Sequence, residues 1–241
     1  TRMKLYFMIG LPTETDEDVL QIADLARKVI QTGREASGHN DIRCTVSIGG
    51  FVPKPHTPFQ WASQLDHETT DARLRKLRDA IRGDRRYGKS IGVRYHDGEP
   101  SIVEGLLSRG DRRVGDVIRA VWEAGGRFDG WGEHFSFRRW MDAAATALAP
   151  YGIDVDWYTT REREYDEVLP WDHLDSGLDK DWLWADWEDA LAVADGADVE
   201  VERWSSALPG LIPPDAPAIR LAQDAFERVM GARPLLVRVG G

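Results

Sequence analysis

Two apolar runs of strand length flank an amphipathic segment near the start of the chain. Residues 3–11 form an almost continuous apolar run that is interrupted at Gly10, which is typical of a buried strand. Apolar side chains then recur at helical spacing through 19–30, which predicts a helix from about residue 16 to 32. Residues 42–50 alternate and are rich in β-branched side chains, so they predict a second strand. The pattern indicates a βαβ unit whose two strands are parallel neighbours.

Helices dominate the pattern after this unit. Charged and apolar positions predict a helix within 66–86, and a short strand follows at 91–95. Further helices are predicted within 114–122, 137–148 and 179–191, the last of them in a stretch rich in tryptophan and acidic residues. The composition shifts at residues 194–198, after which a strand, a helix and a strand are predicted. We therefore divide the chain into 1–62, a mainly helical region 63–193, and a β-α-β tail 194–241.

Composition and charge narrow the classes of function. The 241 residues are 42% hydrophobic, enough for a substantial core, yet no apolar run reaches the roughly 20 residues of a membrane span. A net charge of -10 argues against a general polyanion-binding protein and leaves room for a local basic patch. Cys44 is the single cysteine, so the chain forms no internal disulfide and cannot ligate an iron–sulfur cluster. We expect a reducing, cytoplasmic location.

Two loops carry a resemblance to a known family. The run from Phe7 to Asp18, FMIGLPTETDED, resembles the fifth-strand motif of radical S-adenosylmethionine enzymes, in which Thr13 takes the place of a usual glycine. The run from Phe51 to Trp61, FVPKPHTPFQW, follows one helix and one strand later and is similar to the next strand and exit loop of the same enzymes. The resemblance covers roughly residues 1–192, and it is to an uncharacterised subgroup associated with cobalamin-binding domains.

The resemblance implies a fold, cofactors and partners. The fold would be α/β, a partial parallel β/α barrel made of its last βα units, with a C-terminal helical region and a small β-α-β tail. The cofactors would be S-adenosylmethionine and a 4Fe-4S cluster whose cysteines lie outside this chain, so the chain alone would be inactive. Its partners would be the missing N-terminal half of the barrel and a cobalamin-binding domain. The implied cofactor-binding residues are Met8, Ile9, Gly10, Phe51, Val52 and Pro53.

Two alternative functions stay open. The helix from Arg73 to Arg86 carries many arginines and would serve a non-catalytic module that binds RNA or another protein. A solvated helix face whose arginines pair with nearby acids is the simpler explanation. The tail from 218 to 241 is similar to a segment of zinc-dependent aminoacylases and dipeptidases, which would make the chain part of a peptidase. That segment contains no set of metal ligands.

Other residues with chemical potential have simpler explanations. His96, Asp97 and Glu99 lie in a Gly- and Pro-containing turn and do not have the spacing of a metal site. Acid–base roles are conceivable for two adjacent pairs, which are more economically surface or packing residues: Glu133–His134 and Asp172–His173. We predict no metal ligands and identify no catalytic residue.

Overall fold

The computed structural model describes residues 2–95 and 97–194, together with residues 224, 227 and 228. The chain divides into two units, Thr1–Asp198 and Val199–Gly241, and the elements below belong to the first. The predicted β-α-β tail lies outside the described residues, apart from the three isolated positions. The domain boundaries at residues 62 and 193 stay predictions.

Three parallel strands form one open sheet. Strands β1 (Arg2–Ile9), β2 (Arg43–Gly50) and β3 (Ile91–Tyr95) are ordered β1-β2-β3. The parallel pairing of β1 with β2 begins at Arg2 opposite Arg43, and that of β2 with β3 begins at Cys44 opposite Ile91. The predicted parallel βαβ unit and the short third strand are confirmed.

The predicted partial β/α barrel is wrong. A barrel requires a sheet that curves round and closes on itself, whereas the described residues provide three strands in simple sequential order. The two outer strands therefore keep a free edge within the described part of the chain. The α/β class itself holds, since parallel strands alternate with helices.

Seven helices accompany the sheet within the described residues. Their bounds are α1 (Asp16–Ser37), α2 (His67–Gly83), α3 (Gly98–Arg109), α4 (Val114–Glu123), α5 (Phe137–Leu148), α6 (Val155–Tyr158) and α7 (Lys180–Ala194). Short 3-10 turns occupy Pro58–Trp61, Gly88–Ser90 and Ala149–Tyr151. None of these helices has the length and apolar character that a bilayer-spanning segment needs.

Helix α1 extends to Ser37, beyond its predicted end near residue 32. Thr15 and Asp18 form a reciprocal capping box at its start, and Gly38, with φ +69°, donates its N–H to the Arg34 carbonyl at its end. Gly33 lies inside the helix, where a Cβ atom would come within 3.1 Å of the Ile42 side chain. This glycine therefore serves close packing against the segment before β2, not termination.

The core consists of three buried clusters. One lies between a single face of the sheet and helices α1 and α2, and it includes Ile30, Val46 and Leu77. A second joins α3, α4, α5 and α6 around Leu106 and Leu148. The third surrounds Trp61 and Trp171 and includes side chains of α7.

Strand β1 is covered on one face only, which corrects the expectation of a buried strand. Its side chains Leu5, Phe7 and Ile9 pack towards the helices, whereas Tyr6 is 75% exposed and Met8 is 50% exposed. An apolar run alone does not tell which face of a strand is covered, because that depends on elements elsewhere in the chain.

Candidate functional site

The loop that leaves β1 contains two residues in the left-handed region of backbone space. Gly10 has φ +90° and Thr13 has φ +67°. Glycine adopts this conformation without strain, but a β-branched residue such as threonine does so at a cost. Thr13 is the position at which the radical S-adenosylmethionine motif carries glycine. The loop therefore turns sharply after β1, with one of its two left-handed positions occupied by a residue other than glycine.

Glu14 closes this loop. Its carboxylate accepts a hydrogen bond of 2.7 Å from the N–H of Gly10 and a second of 2.9 Å from the Arg73 guanidinium. Arg73 also donates to the main-chain carbonyl of Glu14 at 2.9 Å. Burial raises the pKa of Glu14, and the hydrogen bonds and charge of its partners oppose that rise only in part. The loop is therefore attached to helix α2 by a largely buried ion pair.

The exit loop of β2 lies directly against the end of β1. The N–H of Phe51 donates to the carbonyl of Ile9 at 2.8 Å, which extends the contact between the two strands beyond their last ladder pair. Further along this loop, the Gln60 side-chain oxygen accepts hydrogen bonds from the N–H of His56 at 3.1 Å and from the Trp171 indole at 2.7 Å. Gln60 is 3% exposed. It joins the exit loop to a segment 111 residues later.

The six predicted cofactor-binding residues lie at or just after the carboxyl ends of the neighbouring strands β1 and β2, but they differ in exposure to solvent. The side chain of Met8 is half exposed. Its neighbour across the ladder is Gly49, where a Cβ atom would meet nothing within 4 Å. The remaining five positions are buried: Ile9, Gly10, Phe51, Val52 and Pro53. Met8 is therefore the one predicted residue whose side chain a ligand reaches without rearrangement.

Two grooves share His173, and one of them adjoins the exit loop of β2. One, of about 420 Å³, is lined by residues that include His56, Gln60, His173 and Lys180. The other, of about 450 Å³, is lined by Asp111, Arg112, Arg113, Pro170 and His173. His56 and Gln60 belong to the motif at 51–61, but the sequence indicates no role for them, because their approach to Trp171 and His173 depends on the tertiary fold.

Two buried arginines, Arg109 and Arg163, contact the end of the β2 exit loop. Arg109 donates to the carbonyl of Thr159 at 2.9 Å, and Arg163 donates to the carbonyl of Arg109 at 3.2 Å. Neither forms an ion pair with a carboxylate in the described residues. Burial, followed by the nearby charges of Arg163 and Arg161, lowers the pKa of Arg109 to about 9, so its guanidinium is still charged at neutral pH.

The neighbouring Asp111 organises the start of α4. Its carboxylate accepts hydrogen bonds from Arg113 and, at 2.9 Å, from the hydroxyl of Tyr158. Burial would raise the pKa of Asp111, but the hydrogen bonds from Arg113 outweigh it and the pKa lies below its usual value. Arg113 in turn stacks on Trp157, with its guanidinium carbon 5.0 Å from the ring centroid. These contacts give this charged run a structural role.

The other candidates are scattered. Glu133 and His134 are exposed, and His134 stacks loosely on Phe128 with ring centroids 6.1 Å apart. Cys44, the second residue of β2, is buried, and burial raises the pKa of its thiol. His96 lies outside the described residues. In the part of the chain that the structure describes, no group of three or more His, Cys, Asp or Glu side chains is arranged to hold a metal ion.

Comparison with known proteins gives limited similarity. No protein-family model matches the chain, and no solved structure matches it. The uncharacterized protein MJ0966 of Methanocaldococcus jannaschii is 30% identical over 117 residues, which are 48% of this chain and 23% of that protein. The chain thus matches less than a quarter of its relative's length. The relative's name states no activity, so the similarity carries no function to this chain.

Proposed function

We propose that the chain supplies the S-adenosylmethionine-binding edge of a radical enzyme. The observation that carries the proposal is the backbone of the β1 loop, where positive φ at Gly10 and Thr13 matches the glycine positions of the motif that the sequence resembles. When bound to a reduced 4Fe-4S cluster, S-adenosylmethionine supplies a 5'-deoxyadenosyl radical. This chain's part is binding and orientation, and the cluster-binding cysteines lie outside these 241 residues.

One exposed side chain at this edge of the sheet, that of Met8, is available to contact an adenine ring. Met8 offers an accessible thioether beside Gly49, where the sheet surface is bare backbone. The buried residues Ile9 and Phe51 hold that surface in position through their hydrogen bond of 2.8 Å. Glu14 keeps the adjacent loop in its left-handed turn by accepting the Gly10 N–H. In this proposal the partners remain a segment carrying the cluster and a cobalamin-binding domain, in the cytoplasm.

Ligand binding at Met8 can be measured without the cluster. Saturation-transfer difference NMR detects complexes with a Kd of about 1 mM, and we expect S-adenosylmethionine to give signals from its adenine protons. Met8→Glu places a charge on this spot and should abolish the signals. Met3→Glu is the matched control, because Met3 is 46% exposed at the other end of the same strand. Equal signals from both variants, or none from the unmodified chain, would contradict the proposal.

The alternatives have less support. The arginine helix, α2, which the RNA- or protein-binding alternative invokes, uses part of its charge internally. Arg73 and Lys76 both form ion pairs with Asp16, and Arg73 also pairs with Glu14. This favours the interpretation of a solvated face with local acids. The peptidase hypothesis concerns a segment outside the described residues, apart from positions 224, 227 and 228.

A further inference from the structure

The face of the sheet opposite helices α1 and α2, here called the open face, carries only positively charged residues among the ionic side chains of its strands. Side chains alternate between the two faces along each strand, and the residues that face the helices form the buried core. The intervening positions belong to the open face. Its charged strand residues are all cationic and all exposed: Arg2, Lys4, Arg43 and Arg94. The whole chain, in contrast, has a net charge of -10.

The part of the chain that the structure describes offers these cations no ion-pair partner. Within the described residues, Arg2, Lys4, Arg43 and Arg94 take part in none of the ion pairs, which instead join cations of the helices and loops to nearby acids. Arg2 and Arg43 even lie directly opposite each other in the ladder. Like charges in that position destabilise a sheet, so the arrangement requires an explanation other than stability.

An aromatic ring lies among these charges. Tyr6 is 75% exposed, and its row across the sheet continues through Ser47 to Arg94. In the next row across the sheet, Lys4 lies beside Thr45, which lies beside Gly92. Only small residues therefore occupy the sheet between the cations. A sheet surface with an accessible ring and surrounding cations can stack a base and hold the adjoining phosphates.

We propose that the open face binds a single-stranded nucleic acid, with a base stacked on Tyr6 and phosphates held by Lys4, Arg94 and the pair Arg2 and Arg43. Four cations spread over three strands suit several successive phosphates better than one small anion. The exposed ring distinguishes a nucleic acid from an acidic polypeptide, which has no base to stack. Met8 and Gly49 of the proposed cofactor site lie on the same face, one row beyond Tyr6, but the inference uses neither of them nor the β1 loop.

Fluorescence anisotropy with a labelled oligouridylate of about ten nucleotides tests this proposal on the full chain. We expect binding that weakens as salt rises from about 50 to 200 mM, because cation–phosphate contacts release counterions. The double variant Lys4→Glu with Arg94→Glu should weaken binding at least about tenfold and flatten the salt dependence. Tyr6→Ala should weaken it by about tenfold, and Tyr6→Phe should restore it because phenylalanine keeps the stacking ring.

A matched control uses the arginine helix. Arg75→Glu with Arg82→Glu makes the same change of charge at two exposed positions of α2, and we expect less than about a twofold effect. Thermal unfolding shows whether each variant is folded, and all substituted side chains except the Tyr6 ring are charged and exposed. The proposal is overturned if the oligouridylate does not bind, or if a labelled polyglutamate binds as tightly. It is also overturned if the helix variant loses binding while the sheet variant keeps it, or if Tyr6→Phe behaves like Tyr6→Ala.

Discussion

The carboxylate of Glu14 accepts a hydrogen bond from the main-chain N–H of Gly10, four residues earlier, at 2.7 Å. The same carboxylate pairs with Arg73 of α2 at 2.9 Å, and both side chains are at most 14% exposed. One acidic side chain thus connects the end of a strand, the following loop and a distant helix. Its removal should have effects at all three places.

Glu14→Ala should destabilise the fold by about 2–4 kcal/mol, because it leaves the Arg73 charge and the Gly10 N–H without this partner. Urea unfolding at neutral pH measures the change. Glu17→Ala is the control, since Glu17 is an exposed acid in the first turn of α1, the helix that follows the loop. A difference below about 0.5 kcal/mol between the two variants would show that the ion pair is not important to the fold.

Thr13→Gly should stabilise the protein by about 0.5–1 kcal/mol. The left-handed conformation costs a non-glycine residue about 1–2 kcal/mol, and the added freedom of glycine in the unfolded chain cancels part of the gain. Gly10→Ala should have the opposite effect, because Gly10 also has positive φ and a Cβ atom there would lie 3.3 Å from Leu65. Thermal unfolding of both variants is the measurement, and a loss of stability in Thr13→Gly would contradict the strain argument.

Arg109→Lys should cost about 2–3 kcal/mol, although it keeps the charge. Lysine lacks the planar group that reaches the carbonyls of Thr159 and Gln60, and it would bury an ammonium group without those acceptors. Arg112→Lys is the matched control, because Arg112 is exposed in the same run of sequence. If the two variants unfold at the same urea concentration, the buried guanidinium has no special role.

The ion pair between Arg161 and Glu167 gives a pH-dependent prediction. The hydrogen bond from Arg161 lowers the pKa of Glu167 below its ordinary value of 4.5. A carboxyl group with a lowered pKa stabilises the fold above the unfolded-state pKa, and that stabilisation is lost as the pH falls through the folded-state pKa. Glu167→Gln should therefore cost about 0.5–1 kcal/mol at neutral pH, a small value because both side chains are partly exposed.

Urea unfolding of the Glu167→Gln variant and the unmodified chain across the acidic range checks this prediction. The difference in stability should shrink below the unfolded-state pKa and disappear at lower pH. Glu162→Gln serves as the control, because Glu162 is nearby in sequence and its carboxylate is not the partner of Arg161 in this ion pair. A constant difference at every pH would mean that Glu167 acts through packing and not through its charge.

The sequence predicts the local elements well and the tertiary contacts poorly. Periodicity is sufficient for α1 and for the parallel strands, because each is defined by residues close together in the chain. The contact of Gln60 with Trp171 joins distant segments that no local pattern connects. The full burial of Arg109 and Arg163 also runs against the usual preference of arginine for the surface.

The incorrect barrel and the missed open face have one physical origin. A pattern of apolar and polar positions identifies a strand, but it does not state how many strands assemble or what covers each face. Tyr6 lies within an apolar run and is nevertheless 75% exposed, because the helices pack on the opposite face. Its environment is a property of the assembled sheet.

The order of the strands also governs how the sheet can form. Each pair of neighbouring strands is separated in sequence by a whole helix, α1 in one case and α2 in the other. No hairpin is therefore available as an early nucleus, and loop-closure entropy must be overcome before either ladder contributes energy. During synthesis, β2 can pair with β1 as soon as both strands have left the ribosome, but the other edge of β2 stays unpaired until Tyr95 completes β3.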